Sequence, residues 1–204
     1  MSRIIAGSRG GRRIAMPPGD RARPTTDRVR EALFSAIAAW AGTAAAPVDR
    51  SLGGLAFCDL YAGSGAVGLE AASRGASRVL LVERDHRTAQ LSRRNAEALG
   101  LAVEILTSSV EQVLRKSPDR PFDIVFADPP YDLDTPTVSA QIELLVVNCW
   151  ADRDSLIVVE RSRRSPKLVW PDVAAQRWSR AYGETILCFG ALEPEPDVPG
   201  KEKP

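Results

Sequence analysis

The feature that most constrains the fold is a regular alternation of apolar runs and helical stretches that begins at Leu55. Near-continuous apolar runs separated by helices are typical of a parallel sheet covered on both faces. The sequence therefore predicts an α/β fold with a mostly parallel sheet. Its strands are expected at 55–61, 79–83, 102–106, 122–127 and 155–160, and its helices at about 66–74, 85–99, 109–116 and 137–149.

The two ends of the chain have a different character. Segments 174–182 and 184–192 indicate two strands joined at Tyr182 and Gly183, which would add an antiparallel hairpin at the edge of the sheet. The first twenty residues suit a small hairpin that turns at 7–11. A helix over 27–40, capped by Thr25 or Thr26, follows it. We therefore expect a basic hairpin or arm (1–22), a main domain (23–192) and a disordered Pro-rich tail (193–204).

Composition excludes several classes of protein. The 204 residues suit one domain, and no apolar run is long enough to cross a membrane. Three scattered cysteines without CxxC spacing indicate reduced core thiols in a cytoplasmic protein, with neither a disulfide framework nor a metal site. Residues 1–30 hold eight arginines and two aspartates, a net charge of +6, so the remainder carries −5. A basic segment on an acidic body favours a phosphate-bearing partner.

A glycine-rich segment follows the predicted strand 55–61 and opens a helix. Residues 63–68, here named the glycine loop, read Gly-Ser-Gly-Ala-Val-Gly, the pattern of a nucleotide-binding βαβ unit. Asp59 before the loop would repel a pyrophosphate but attract the ammonium group of S-adenosylmethionine (SAM). Glu83, at the end of the next strand, would accept hydrogen bonds from ribose hydroxyls. This pattern predicts a SAM site, with a nicotinamide cofactor or a ligand-free turn as alternatives.

A second motif ends the predicted strand 122–127. Asp128, Pro129, Pro130 and Tyr131, here named the catalytic motif, stand where ligands bind in open α/β sheets. An exocyclic amino group on a nucleobase is a poor nucleophile because its lone pair is delocalised into the ring. Asp128 and the Pro129 carbonyl can accept its N–H bonds, the prolines stiffen the loop, and Tyr131 can stack on a flipped base. The motif predicts methyl transfer to a base amino group; the alternative is a plain proline turn.

Together the two motifs resemble SAM-dependent methyltransferases of the amino-group type. The stretch from Arg3-Ile-Ile-Ala-Gly7 to Arg23-Pro-Thr-Thr-Asp-Arg-Val-Arg-Glu-Ala-Leu-Phe34 is similar to the RsmD-type family of bacterial 16S ribosomal RNA (guanine-N2-)-methyltransferases. The resemblance covers about residues 3–192. It implies a Rossmann-like SAM-dependent methyltransferase fold: a mostly parallel seven-stranded sheet, an antiparallel terminal strand and an N-terminal β-hairpin extension that engages RNA. It also implies methylation of one guanine in partly or fully assembled small ribosomal subunits.

The resemblance carries site residues onto this chain. The catalytic motif would hold the guanine amino group. Many relatives place an acid after the third strand of the alternation, whereas this chain has Thr107-Ser-Ser109-Val110. Either Ser109 or a backbone carbonyl is expected to accept the adenine hydrogen bond instead. The expected cofactor-binding residues are Asp59, Tyr61, Gly63, Ser64, Gly65, Gly68, Glu83, Arg84, Ser109 and Val110. The expected RNA-binding residues are Arg3, Arg9, Arg12, Arg13, Arg23, Arg28, Arg30 and Arg163.

Several alternatives stay open. Arg28 would lie near the SAM carboxylate or an RNA phosphate; alternatively, the arginines of 23–30 are solvated beside a helix cap. The basic loop after Glu160 is either an RNA contact or a solvated loop. His86 and Asn95 are interpreted as structural residues, and the tryptophans as core. Rival functions are methylation of adenine or cytosine amino groups in DNA, a non-catalytic RNA-binding assembly factor, and a nicotinamide-dependent oxidoreductase. A monomer without metal is expected.

Overall fold

The chain forms nine strands and five α-helices in a computed structural model that describes residues 2–17 and 26–192. The strands are β1 Ser2–Arg3, β2 Arg13–Ile14, β3 Ala56–Leu60, β4 Arg78–Glu83, β5 Glu104–Thr107, β6 Ile124–Ala127, β7 Leu156–Ser162, β8 Gln176–Tyr182 and β9 Thr185–Ala191. The helices are α1 Asp27–Trp40, α2 Ala66–Ser73, α3 His86–Leu99, α4 Val110–Leu114 and α5 Thr135–Val147. These bounds fall within a few residues of the predicted ones.

Seven of the strands make one sheet in the order β5-β4-β3-β6-β7-β9-β8. All neighbours from β5 to β7 are parallel, and β9 pairs antiparallel with both β7 and β8. The predicted fold class is therefore confirmed. The antiparallel strand lies second from the edge, because the chain passes to β8 first and returns through β9. The strand order reverses direction between β3 and β6, and such a switch point opens a crevice at the carboxyl ends of the strands.

Each face of the sheet carries its own apolar core. Alternate residues of a strand point to opposite faces, so Phe57 and Cys58 on β3 belong to different clusters. One cluster packs α1 and α2 against the sheet, and the other packs α4 and α5. Trp150 stacks on Phe122 in the second cluster, with ring centroids 5.9 Å apart, which confirms its predicted core role.

The N-terminal hairpin is docked on the domain rather than extended from it. Ile4 and Ile14 are buried in a third cluster with side chains of α2 and α3. The buried carboxylate of Glu70 on α2 accepts the backbone N–H groups of Ile5 (2.6 Å) and Ala6 (3.0 Å) and pairs with Arg74 (2.9 Å). The predicted hairpin is confirmed, and its attachment to α2 was not foreseen.

A few expectations need correction or lie beyond the described residues. Cys149 is exposed rather than in the core, because it follows the end of α5 with a φ of 57°. Thr26 caps α1 as expected, by accepting the Val29 N–H. Thr25, Arg23 and the tail 193–204 fall outside the described residues. Among residues 2–17 and 26–192, no helix is long and apolar enough to cross a membrane.

Candidate active site

The glycine loop joins the carboxyl end of β3 to the start of α2. Gly65, with a φ of 84°, directly precedes the helix, and a Cβ there would lie 2.5 Å from the Ser92 hydroxyl oxygen. A Cβ on Gly63, by contrast, would meet no protein atom within 4 Å. The loop is therefore packed tightly against the protein at Gly65 and open at Gly63. An open glycine backbone is what close approach by a ligand requires.

Asp59 lies beneath the glycine loop and is almost completely buried. Its Oδ2 accepts the N–H of Gly68 at 2.8 Å. Burial raises the pKa of this carboxyl to about 7; the Gly68 hydrogen bond opposes the rise, and the charge of Glu83 adds to it. Asp59 therefore holds the loop in place and titrates near neutrality.

Glu83 ends β4 next to the open part of the glycine loop. Its Oε2 accepts the Gly63 N–H at 2.9 Å, and its Oε1 accepts the Asp85 N–H at 2.7 Å. The carboxylate thus holds the two loops that follow β3 and β4. It lies where a ribose-binding acid is expected. Arg84, which follows it, is exposed. His86 is the exposed first residue of α3, in line with its interpretation as a structural residue.

Tyr61 turns the chain from β3 toward the glycine loop with a φ of 65°, a left-handed conformation that is uncommon for a residue other than glycine. Its hydroxyl donates to Oε1 of Gln141 on α5 at 2.6 Å. Burial raises the pKa of the Tyr61 hydroxyl to about 12. Gln141 links the start of the glycine loop to the helix that follows the catalytic motif. Sequence reasoning missed it because one glutamine within a helix carries no local signal.

Ser109 and Val110, expected near the adenine ring, begin α4. The Ser109 hydroxyl accepts the Gln112 N–H at 3.3 Å and so caps the helix. The Val110 side chain is buried in the core. Ser109 therefore already has a structural role, and a contact from Val110 to a cofactor would come from its backbone.

The catalytic motif directly follows β6 and lines a cleft. Asp128, Pro129 and Tyr131 form one side of the cleft, and Tyr131 is 70% exposed. The other side comes from the carboxyl end of β7 and the turn after it, namely Glu160, Arg161, Ser162 and Ser165. Pro130 closes a turn by accepting the Leu133 N–H at 3.0 Å. The cleft thus presents a carboxylate, a backbone corner and an exposed aromatic ring together.

Register places the cofactor side and the catalytic side next to each other. Leu60 on β3 pairs with Ala127 on β6, so Tyr61 and Asp128 leave neighbouring strands at the same level. Adjacent strands lie about 4.8 Å apart. The glycine loop and the catalytic motif, 60 residues apart in the sequence, therefore meet at one edge of the sheet. The described residues contain no cluster of three or more His, Cys, Asp or Glu side chains suited to a metal.

The predicted RNA-binding arginines divide into exposed and buried groups. Arg30 differs from the expected exposed RNA contact: it is fully buried, and its guanidinium donates to Ser2 Oγ (3.2 Å), to the Arg3 carbonyl (2.6 Å) and to Asp27 (2.9 Å). Arg9 is half-buried and donates to the Leu99 carbonyl at the end of α3. The exposed members are Arg3, Arg12, Arg13, Arg28 and Arg163.

The basic residues after Glu160, expected to contact RNA or solvent, are not all exposed. Arg161, first of its basic residues, is buried and donates to the Leu133 carbonyl (3.1 Å) and to Thr135 Oγ1 (3.3 Å). It ties β7 to the segment after the catalytic motif. Arg163 and Arg164 are exposed.

Comparison with known proteins agrees with this geometry. Residues 2–191 match the family described as conserved hypothetical protein 95. The chain is 37% identical over 158 residues to ribosomal RNA small subunit methyltransferase D of Escherichia coli K12, which covers 78% of this chain and 73% of the relative. It is 33% identical over 174 residues to the protein of the same name from Haemophilus influenzae, covering 83% of each.

A solved structure extends the likeness to the fold. A hypothetical protein of Thermus thermophilus aligns with a TM-score of 0.75 and 28% identity, over 94% of this chain and 100% of that one. The structural match therefore covers nearly the whole chain. The chain belongs to the conserved hypothetical protein 95 family, which includes the ribosomal RNA small subunit methyltransferase D proteins.

Proposed function

We propose that this protein transfers a methyl group from SAM to the exocyclic N2 amino group of a guanine in 16S ribosomal RNA. The observation that carries the proposal is the meeting of the glycine loop and the catalytic motif at one sheet edge, through the pairing of Leu60 with Ala127. The names of the relatives, ribosomal RNA small subunit methyltransferase D, support the substrate class.

The residues of the glycine loop region fit SAM. Gly63 leaves open space beside the Glu83 carboxylate, which suits a ribose with two hydroxyl donors. Asp59 places a titratable negative charge beneath the loop, which favours an ammonium group and disfavours a pyrophosphate. SAM, when bound, supplies the methyl group on a positively charged sulfur.

The catalytic motif acts on the target base. The Asp128 carboxylate and the Pro129 carbonyl accept the two N–H bonds of the amino group, which aims the nitrogen lone pair at the methyl group. Tyr131, largely exposed at the rim, stacks on the ring of a base flipped out of its helix. Most of the acceleration comes from this positioning. Asp128 receives the proton that the nitrogen loses.

Exposed arginines bind the phosphates of the ribosomal RNA and hold it at the cleft. Positive charge on the N-terminal side comes from the exposed arginines of the hairpin and of the start of α1, namely Arg3, Arg12, Arg13 and Arg28. Arg163 offers positive charge beside the cleft. The substrate is a small ribosomal subunit, assembled in part or fully, and the enzyme acts as a cytoplasmic monomer. Such binding weakens steeply with salt as phosphate contacts release counterions.

The test is methyl transfer from isotope-labelled SAM to unmodified small subunits and, separately, to naked 16S ribosomal RNA, with nucleosides identified by mass spectrometry. We expect labelled N2-methylguanosine. Labelled methyladenosine or methylcytidine would contradict the guanine assignment, and label on DNA alone would contradict the RNA substrate. If no substrate takes up label from protein shown by calorimetry to bind SAM, a non-catalytic binding role would replace the proposal.

Asp128→Ala should abolish transfer in the same assay and leave the calorimetric affinity for SAM nearly unchanged. The matched control is Asp154→Ala, which removes an exposed carboxylate just before β7, at the opposite edge of the sheet. This control should keep full activity. Loss of SAM affinity in Asp128→Ala would show that Asp128 supports the cofactor and not the base.

A further inference from the structure

A second carboxylate faces the catalytic motif across the cleft. Glu160 lies within β7, the parallel neighbour of β6, and the pairing of Ala127 with Val159 places Asp128, the first residue after β6, at the level of Glu160. Both residues line the same cleft, together with Pro129 and Tyr131. Glu160 is 7% exposed, so its side chain is largely shielded from bulk solvent.

The backbone around Glu160 is held from two sides. Glu160 pairs with Leu187 on β9, so it lies in the interior of the sheet and not on a free loop. The next residue, Arg161, is buried and bonds the Leu133 carbonyl and Thr135, just beyond the catalytic motif. The two walls of the cleft are therefore fixed relative to each other. A fixed carboxylate selects a ligand better than a mobile one because less ordering is needed on binding.

The chemistry of the bases gives this carboxylate a specific task. Guanine carries an N1–H donor directly beside its N2 amino group. Adenine and cytosine instead carry a ring nitrogen with a lone pair beside the amino group. A carboxylate accepts a hydrogen bond from the N1–H of guanine and is repelled by the ring-nitrogen lone pair of adenine or cytosine. The Asp128 carboxylate and the Pro129 carbonyl bind only an amino group and do not distinguish the three bases.

We propose that Glu160 selects guanine, by accepting the N1–H of the base whose N2 amino group is held by Asp128 and Pro129. This inference rests on the proposed function, since it assigns the base specificity of the same cleft. Glu160 thus contacts the base while the catalytic motif carries out the transfer. The specificity for guanine follows from two carboxylates on adjacent strands that read adjacent donors of one base.

The experiment compares two bases that both carry the N2 amino group. Small subunits are first methylated by the wild-type enzyme, and mass-spectrometric mapping identifies the modified guanine. Subunits are then reconstituted with ribosomal RNA that contains either guanine or 2-aminopurine at that position. 2-Aminopurine keeps the amino group and has a lone pair at N1 in place of the N1–H. Single-turnover efficiencies are measured for the wild type, for Glu160→Gln, and for Glu143→Gln as a control at an exposed carboxylate on α5.

We expect the wild type and the control to prefer guanine by about 100-fold or more. Glu160→Gln should lose about 10- to 100-fold on guanine, the range of one charge-assisted hydrogen bond. It should lose much less on 2-aminopurine, because an amide can donate to the N1 lone pair, so the preference should narrow to about tenfold or less. The calorimetric affinity for SAM should not change.

Two results would overturn the inference, in different ways. Equal losses on both bases in Glu160→Gln would show that Glu160 supports the cleft without reading N1, and the proposed function would stand. Absence of guanine methylation by the wild type would overturn the proposed function and the role of Glu160 with it. The test compares the guanine to 2-aminopurine efficiency ratio of the wild type with that of Glu160→Gln. Effects that both enzymes share, such as the loss of O6 in 2-aminopurine, cancel in this comparison.

Discussion

The side-chain amide of Asn95 donates to the carbonyl of Ser64 at 2.9 Å, which ties helix α3 to the glycine loop. The same side chain exchanges two hydrogen bonds with the backbone of Ala15 at the end of the hairpin, both 2.9 Å long. Asn95 is 5% exposed, and its bond to Ser64 is buried, whereas its two bonds to the exposed residue Ala15 are partly buried. One buried residue therefore joins the N-terminal segment to the cofactor side of the cleft.

Replacing Asn95 by alanine should weaken both the fold and SAM binding. The change leaves the buried carbonyl of Ser64 without its partner, at about 1–3 kcal/mol, and also frees two backbone groups of Ala15, which cost less because Ala15 is exposed to water. We expect the free energy of unfolding to fall by about 3 kcal/mol in urea titrations and the SAM affinity to fall about tenfold by calorimetry.

The matched control for this prediction is Asn148→Ala. Asn148 also donates one side-chain hydrogen bond to a backbone carbonyl, that of Leu114, but it does so between α4 and α5. This variant should lose stability and keep its SAM affinity. An equal loss of SAM affinity in both variants would mean that general destabilisation, and not the link to Ser64, controls binding.

SAM affinity should depend on pH through Asp59. Because the pKa of Asp59 is about 7 in the folded protein, the carboxyl is largely neutral at pH 5.5 and largely ionised at pH 8. The ammonium group of SAM favours the ionised form, so the affinity should rise with pH up to about 7.5, by at most tenfold per unit. Calorimetry at pH 5.5–7.5 tests this while the ligand ammonium, with a pKa of about 7.7–8.0, stays mostly charged.

Asp59→Asn should abolish this dependence and hold the affinity near the low-pH value of the wild type. A pH-dependent affinity that survives in the variant would assign the titration to another group.

The same carboxyl should make the fold less stable as the pH rises. A folded-state pKa of about 7, above an unfolded value near 4, gives a stabilising contribution that is complete below pH 4 and is lost as the pH rises through 7. The free energy of unfolding of the wild type should therefore fall by roughly 4 kcal/mol more than that of Asp59→Asn over this range. Denaturant titrations of both proteins at pH 4.5, 6 and 7.5 measure the difference. Parallel curves would contradict the buried titration.

Alanine at Gly63 and alanine at Gly65 should have different effects, the first on SAM binding and the second on stability. Both Gly63 and Gly65 have positive φ, so each substitution carries a backbone cost of about 1–2 kcal/mol. Gly65→Ala also drives a Cβ into Ser92 and Leu81, so it should cost several kcal/mol of stability. Gly63→Ala meets no protein atom, so it should stay folded and bind SAM at least tenfold more weakly. Thermal unfolding measures the loss of stability in each variant, and calorimetry measures its SAM affinity. An unchanged SAM affinity in Gly63→Ala would show that the ligand does not bind against Gly63.

Tyr131 should serve the base and not the fold. Its side chain is largely exposed, so Tyr131→Ala should change the free energy of unfolding by about 0.5 kcal/mol or less. Loss of stacking on the target base should lower kcat/KM for the subunit substrate by roughly 10- to 100-fold, the range measured for base stacking. Tyr131→Phe keeps the ring and should stay within about threefold of the wild type. If phenylalanine and alanine were equally poor, the hydroxyl and not the ring would matter.

The fold was predictable because its signals are local. Each apolar run, such as 122–127, and each helical period between the runs can be recognised from a single short segment. The order of these segments implies a parallel sheet. Both motifs were recognised for the same reason: Gly63–Gly68 and Asp128–Tyr131 are each contiguous. The strand-end positions of Asp59 and Glu83 follow from the same local pattern.

What the sequence by itself determined is therefore the element order, the sheet and the two motifs at its carboxyl edge. The tertiary structure alone decided which polar side chains are buried and what they contact. Arg30 resembles the solvated arginines near it, yet it is enclosed, and Glu70 binds a backbone 65 residues away. Glu160 likewise faces Asp128 only because β6 and β7 are neighbours. The burial of a charge depends on which distant segments pack against it, and a local pattern of residues does not contain that information.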